Sequence, residues 1–207
     1  MKKLALLFVL SVAISFQGFA QELWKEGEHY VVLDKPAAEK PVIREYFSFW
    51  CPHCFNFEPL VAQIKEKKAD NVKLEKVHVN FMGFTSPEIQ EQATRAMMVA
   101  RALKREDELS NAIFKHIHVG RGVVANLDDL KAIFVENGVD AAEFDKLASS
   151  FGVNNFVKRN NKSISDYRQF LTGVPNFIVN GKYQVKFTRD MTPDDIVNLI
   201  VWLSTQP

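Results

Sequence analysis

Cysteine is scarce in this chain: two among 207 residues, Cys51 and Cys54, with no second pair anywhere. A structural zinc site needs four ligands and often draws them from two such pairs, so ligand count argues against metal. His116 and His118 are two apart and fall on different helix faces, while His29 and His78 have no ligand spacing; all four read as ordinary histidines. Charge of one sign is also lacking. Lys and Arg number 26 against 25 Asp and Glu, for a net +1 that becomes −1 without Lys2 and Lys3. With no basic stripe or acidic tail, nucleic acid and anionic membrane surfaces lose support as partners. The run Lys65-Glu66-Lys67-Lys68 reads as the solvated end of a helix. No internal repeat or low-complexity tract is present, and no stretch after the first twenty residues is long and apolar enough to span a bilayer.

Those first twenty residues have the layout of a secretory signal: Lys2 and Lys3, an apolar run from Leu4 to Ile14, then Gly18-Phe19-Ala20 with small residues at the cleavage-determining positions. The run is shorter than the roughly 20 residues of a membrane anchor. Cleavage after Ala20 starts the mature protein at Gln21, and the exported chain fits one domain with an insertion, or two small ones.

Val42 to Trp50 is rich in β-branched and aromatic residues and nearly apolar on both faces toward its end, as a central strand is. It runs into Cys51-Pro52-His53-Cys54. Phe57, Leu60, Val61 and Ile64 follow at helical spacing, with Pro52 in the first turn and Pro59 inside, where it should kink the helix. Val72 to Phe81 alternates as a strand, with Val77, Val79 and Phe81 on one face and Leu74 on the other. Strand, helix, strand makes a βαβ unit with parallel strands.

From Ser86-Pro87-Glu88, an N-cap serine and first-turn proline, the signals stay helical to about Tyr167. Ile89, Ala93, Ala96, Met97, Ala100 and Leu103 form one core stripe. Asn126 precedes a helix with Leu130, Ile133 and Phe134 that ends near Gly138. Asp140 and Glu143 resemble a capping box before an apolar set of Phe144, Leu147 and Phe151. Strands return at Val174–Val179 and Lys182–Val185 around the hairpin signal Asn180-Gly181. Thr192-Pro193-Asp194 starts a last helix with Ile196, Leu199, Ile200 and Leu203 inward. The organisation is therefore an α/β fold with an inserted all-helical unit: 21–82 as its first part, 83–160 as the insertion and 161–207 as its second part.

A Cys51–Cys54 bridge closes so short a loop that it constrains the unfolded chain very little, which argues against a structural staple. Disulfide exchange, in contrast, needs one thiolate to attack or be attacked and a second thiol near enough to resolve the mixed disulfide. Cys51 falls at a helix N-cap, where free N–H groups and the helix dipole favour an anion. Cys54, one turn in, should be the less exposed resolving partner. His53 can favour the thiolate further by its charge or a hydrogen bond; the alternative is an exposed turn histidine.

Glu45 lies on the strand read as central and shares a face with Ile43, Phe47 and Phe49. A carboxylate there needs a partner or a proton. An ion pair with Lys76 meets that need, and a proton acceptor of raised pKa beneath the cysteines is the functional reading; the two are compatible. Val174-Pro175 sits at a strand start, where the lost N–H is tolerated.

Phe47-Ser48-Phe49-Trp50-Cys51-Pro52-His53-Cys54, His78-Val79-Asn80-Phe81-Met82-Gly83, Gly173-Val174-Pro175 and Val179-Asn180-Gly181-Lys182-Tyr183 together resemble the DsbA family of periplasmic disulfide-forming proteins, over essentially the whole mature chain. The resemblance implies a thioredoxin fold with an inserted helical domain. It also implies oxidation of newly exported, reduced polypeptides by a redox-active Cys51–Cys54 disulfide with no other cofactor. Reoxidation would come from a DsbB-like, quinone-linked membrane protein, and the chain would act as a periplasmic monomer. By position, Cys51 is the nucleophile, Cys54 the resolving cysteine and His53 the thiolate stabiliser. Pro52 completes the motif, and Glu45 and Lys76 are the buried charged pair. Val174 and Pro175 form a cis-proline loop that pairs with substrate, and Phe57 lines an adjacent groove. Trp50, Pro59 and Phe84 depart from the best-known members and bear on groove shape. The competing readings are a reductase or isomerase of the same fold, and a peptide-binding chaperone that keeps its cysteines incidentally.

Overall fold

The computed structural model describes residues 23–207, so the expected signal segment lies outside the described residues. A short strand β1, Tyr30–Val32, is followed by β2, Val42–Phe47. The expectation that β2 reaches Trp50 fails at Ser48. Ser48 O accepts the Cys51 N–H at 3.1 Å and Ser48 Oγ the Trp50 N–H at 3.3 Å, so the chain turns there rather than pairing onward. Helix α1, Pro52–Lys67, continues through Pro59, whose ring nitrogen offers no donor to the carbonyl four residues back. The Lys65–Lys67 end of α1 is exposed, as its charge run requires. Strand β3, Lys73–His78, is shorter at both ends than the alternation foretold and runs parallel to β2, with Glu45 opposite Lys76.

Five helices then form the insertion: α2 Pro87–Ala102, α3 Glu106–His118, α4 Leu127–Glu136, α5 Ala141–Ala148 and α6 Phe151–Tyr167. Their starts follow local chemistry. Ser86 caps α2 through the Ile89 N–H, Asn126 and Asp129 make a reciprocal box on α4, and Asp140 caps α5 at Glu143. Phe151, expected inward with Phe144 and Leu147, is instead 81% exposed: Ser150 caps a new helix there, and the restart breaks the periodicity. Position 160, the expected end of the insertion, falls inside α6, which continues to Tyr167.

Strands β4, Asn176–Val179, and β5, Tyr183–Val185, make the hairpin, and α7, Pro193–Leu203, ends the fold behind a Thr192–Asp195 capping box. The sheet order is β1-β5-β4-β2-β3, with β2 parallel to β3 and antiparallel to β4. Flanked on both sides, β2 is the central strand its composition called for.

Asn180 and Gly181, at φ 50° and 70°, supply the two left-handed residues of the hairpin turn. Asn180 does more than turn the chain. Its Oδ1 accepts the Val42 N–H at 3.0 Å and its Nδ2 donates to Gln206 O at 2.8 Å, tying the hairpin to the start of β2 and to the residues after α7. Removing this buried amide strands backbone groups at both ends, and a stranded buried group costs roughly 1–3 kcal/mol. Asn180→Ala is expected to lower the unfolding free energy by about 2 kcal/mol in denaturant titration, against a change within about 0.5 kcal/mol for the exposed Asn198→Ala.

Candidate active site

The turn Ser48–Cys51 hands the chain from β2 to α1, and Cys51 is the N-cap, with extended backbone at φ −87° and ψ 113°. Pro52 takes the first helical position, where no donor is required. Cys51 Sγ therefore faces the open N–H groups of the first turn, and the Cys54 N–H donates to it at 3.3 Å. Both cysteines are free thiols, so the structure shows the dithiol form. Cys54 is fully buried and Cys51 is 2% exposed, a smaller contrast than the sequence led one to expect.

The two thiols titrate in opposite directions. Donation from the Cys54 thiol is the main reason the Cys51 pKa falls to about 6. Burial opposes this, while the N–H groups of Cys54 and His53 and the charge of His53 add to it. Cys54 is held far above the usual thiol range by its role in the same hydrogen bond and by burial, with the negative charges of Cys51 and Glu45 contributing. One sulfur is ready to carry charge and the other to keep its proton. His53 is exposed, and it acts on Cys51 through its backbone N–H before its ring.

The Val174–Pro175 peptide is cis, and the Cys51 thiol points at the Val174 carbonyl oxygen, 3.5 Å away. Composition alone favoured trans; only the resemblance carried the cis form. Phe57 is half-buried and packs against a core cluster, with its ring 5.3 Å from Phe177 and 5.5 Å from Phe187. Phe187, 41% exposed, is the ring of that group that faces solvent, and nothing in its sequence context marked it. Trp50 is half-buried against His78, and Phe84 is exposed.

Glu45 is fully buried, and the Lys76 ammonium stands 3.2 Å from its Oε2. Burial is the main cause raising its pKa to about 7, with Lys76 acting against it and the charges of Glu58 and Cys51 acting with it. Burial works against the charge on Lys76, yet Glu45 and Glu58 outweigh it and hold its pKa up. Glu58, on α1, also pairs with Lys76, and sequence reasoning missed it because its reach depends on where α1 packs. Lys76 lies over the rings of Phe47 and Phe114, at 4.6 and 5.7 Å.

Two histidines matter here. His78 is fully buried against Phe47, Phe49 and Trp50, and burial lowers its pKa to about 3. It is neutral, its Nδ1 bonded to Thr94 Oγ1 at 2.9 Å. His118 reaches back from α3 to the Phe49 carbonyl, a contact between distant segments that the sequence did not mark. Among the described residues no group of three or more His, Cys, Asp or Glu could hold a metal ion.

One acidic and one proton-retaining thiol on the first turn of a helix, fed by the central strand of such a sheet, is the working arrangement of thiol–disulfide oxidoreductases of the thioredoxin fold, and this protein is one. The family model described as a DSBA-like thioredoxin domain matches residues 42–195, and the chain belongs to that family. The thiol:disulfide interchange protein DsbA of Haemophilus influenzae is 36% identical over 203 residues, covering 95% of this chain and 94% of the relative. The protein of that name from Escherichia coli K12 is 34% identical, over 89% and 86%. Among solved structures, the disulfide oxidoreductase DsbA of Proteus mirabilis superposes with a TM-score of 0.77 at 31% identity, over 88% of this chain and 98% of its own. A second structure of that protein carries a non-covalently bound peptide, PWATCDS, at TM-score 0.76 and 30% identity, over 88% and 99%.

Because most of the pull on Cys51 comes from Cys54 and the helix N-terminus, His53→Ala is expected to raise the midpoint of thiolate absorbance above about 6 while leaving it below the ~8.5 of a free cysteine. A variant midpoint at or above ~8.5 would assign the effect to the ring instead.

Proposed function

We propose that this protein is a dithiol oxidase that donates a Cys51–Cys54 disulfide to reduced polypeptides newly exported to the periplasm, after removal of residues 1–20. The observation that carries the proposal is the placement of Cys51 Sγ between the Cys54 N–H and the Val174 carbonyl. A substrate thiolate attacks Cys51 Sγ, the Cys51–Cys54 bond breaks, and Cys54 leaves with the electron pair and takes up a proton. A second substrate thiolate then attacks the substrate sulfur of the mixed disulfide and releases Cys51 as a thiolate. That leaving group is a good one because its pKa is about 6. The substrate gains a disulfide, and two electrons and one proton remain on the pair.

Val174, beside Cys51, suits the recognition of an extended chain by backbone pairing, and the peptide bound to the Proteus mirabilis relative supports peptide binding by this fold. Glu45, with a pKa near 7, is suited to exchange a proton with Cys54, whose titration its charge affects. Lys76 and Glu58 hold it there. For another turnover Cys54 must lose its proton and a membrane protein of the DsbB type, linked to quinone, must accept the electrons.

Oxidised protein is expected to form disulfides in a reduced, unfolded secreted protein. Cys51→Ser should abolish this, and Cys54→Ser should hold a mixed disulfide visible on non-reducing gels; full activity of Cys51→Ser would defeat the proposal. Glu45→Gln should slow reoxidation of the dithiol several-fold and remove its rise with pH around 7, with substrate oxidation by the preformed disulfide less affected. An unchanged reoxidation profile would leave Glu45 structural.

A further inference from the structure

The turn that delivers Cys51 has a middle peptide, the unit joining Phe49 to Trp50, and both of its polar groups are bound by side chains. Its N–H, on Trp50, donates to Ser48 Oγ at 3.3 Å. Its carbonyl, on Phe49, meets His118 Nε2 at 2.8 Å. A carbonyl can only accept, so Nε2 carries the proton and His118 is the donor. The middle peptide of a four-residue turn can point either way, the difference between type I and type II turns. Here the two anchors fix it, and the outer anchor comes from α3, more than sixty residues along the chain and outside the sheet.

His118 is itself held. Its ring stacks on Phe55 with centroids 5.2 Å apart and planes 9° from parallel, and Phe114, one turn earlier on α3, lies 6.1 Å away. Phe55 directly follows Cys54, and its N–H donates to Cys51 O at 3.1 Å. The imidazole thus touches the active-site segment on both sides of the motif: the peptide before Cys51 by a hydrogen bond, the residue after Cys54 by its face.

We propose that His118 is a positioning residue through which the helical insertion sets the reactivity of Cys51: by fixing the Phe49–Trp50 peptide it fixes the N-cap geometry that aims the Cys51 sulfur at the first-turn N–H groups. Release of that peptide lets the turn sample its other form, and Cys51 Sγ spends less time against those donors. The thiolate then loses stabilisation although no group that touches the sulfur has changed. The inference rests on Cys51 being the reactive sulfur of the pair; if that assignment fails, the parent protein itself shows no acidic thiol, whereas failure of the positioning role appears only in the variants.

Two substitutions divide the functions of the ring. His118→Phe keeps an aromatic face for Phe55 and removes the donor; His118→Gln removes the ring and keeps an N–H within reach of the carbonyl. The readouts are the pH midpoint of thiolate absorbance and the equilibrium constant with glutathione. His118→Phe is expected to raise the midpoint by at least half a pH unit and to weaken the pair as an oxidant about three-fold or more, with His118→Gln staying within two-fold of the parent. Parent-like behaviour of both variants overturns the proposal, and so does a Gln variant as impaired as the Phe variant. The parent protein supplies a check that survives poor folding of either: nitrogen-15 spectra should show a proton on Nε2 of His118, and an unprotonated Nε2 would contradict the hydrogen bond.

Discussion

Everything distinctive about this molecule depends on one sulfur held at the head of one helix. Cys51 Sγ takes the Cys54 N–H at 3.3 Å, in a place where backbone donors have no helical partner and where negative charge is favoured. Stabilising that thiolate stabilises the dithiol, and a stable dithiol makes the disulfide a willing oxidant. The fold keeps the arrangement by several means. A central strand, hydrogen-bonded on both sides, fixes where the chain arrives; a four-residue turn fixes its angle; Pro52 starts the helix without a donor to satisfy.

The helical insertion is part of this support. One core cluster contains Phe47, Phe49, Cys51 and Cys54 together with Met97, Ile113, Phe114 and Phe134 from the inserted helices. The cysteines are therefore packed from the insertion side, while Glu45 and Lys76 lie beneath. Burial raises the pKa of both thiols, and only Cys51 has donors that outweigh it. It leaves Cys54 protonated and makes a nearby carboxylate with a pKa near 7 chemically useful. A second surface, the Val174 carbonyl, meets the same sulfur from the far end of the chain.

The features readable in the sequence were those written in local chemistry. Serine, asparagine, aspartate and threonine caps, the Asn180-Gly181 turn, the strand entering Cys51 and the proline after it all lie within a few residues of what they control. The pairing of Glu45 with Lys76 was legible because adjacent strands carry their polar residues into register. Features made by distant segments were hidden. Glu58 on α1, His118 on α3 and Phe187 after β5 are three of them. Each acquires its role only when α1, α3 and the residues following β5 pack beside the sheet. Phe151 shows the converse error: apolar spacing continued across a helix restart that Ser150 imposes, and the ring ended in solvent.

The central claim is that the geometry around Cys51 makes this pair give its disulfide away. Its redox potential, measured by equilibration with glutathione, tests that most directly. The account predicts a couple far more oxidising than the roughly −270 mV of a thioredoxin-type reductase, so that the pair is mostly reduced at a glutathione poise near about −220 mV. A potential at or below about −270 mV would contradict it.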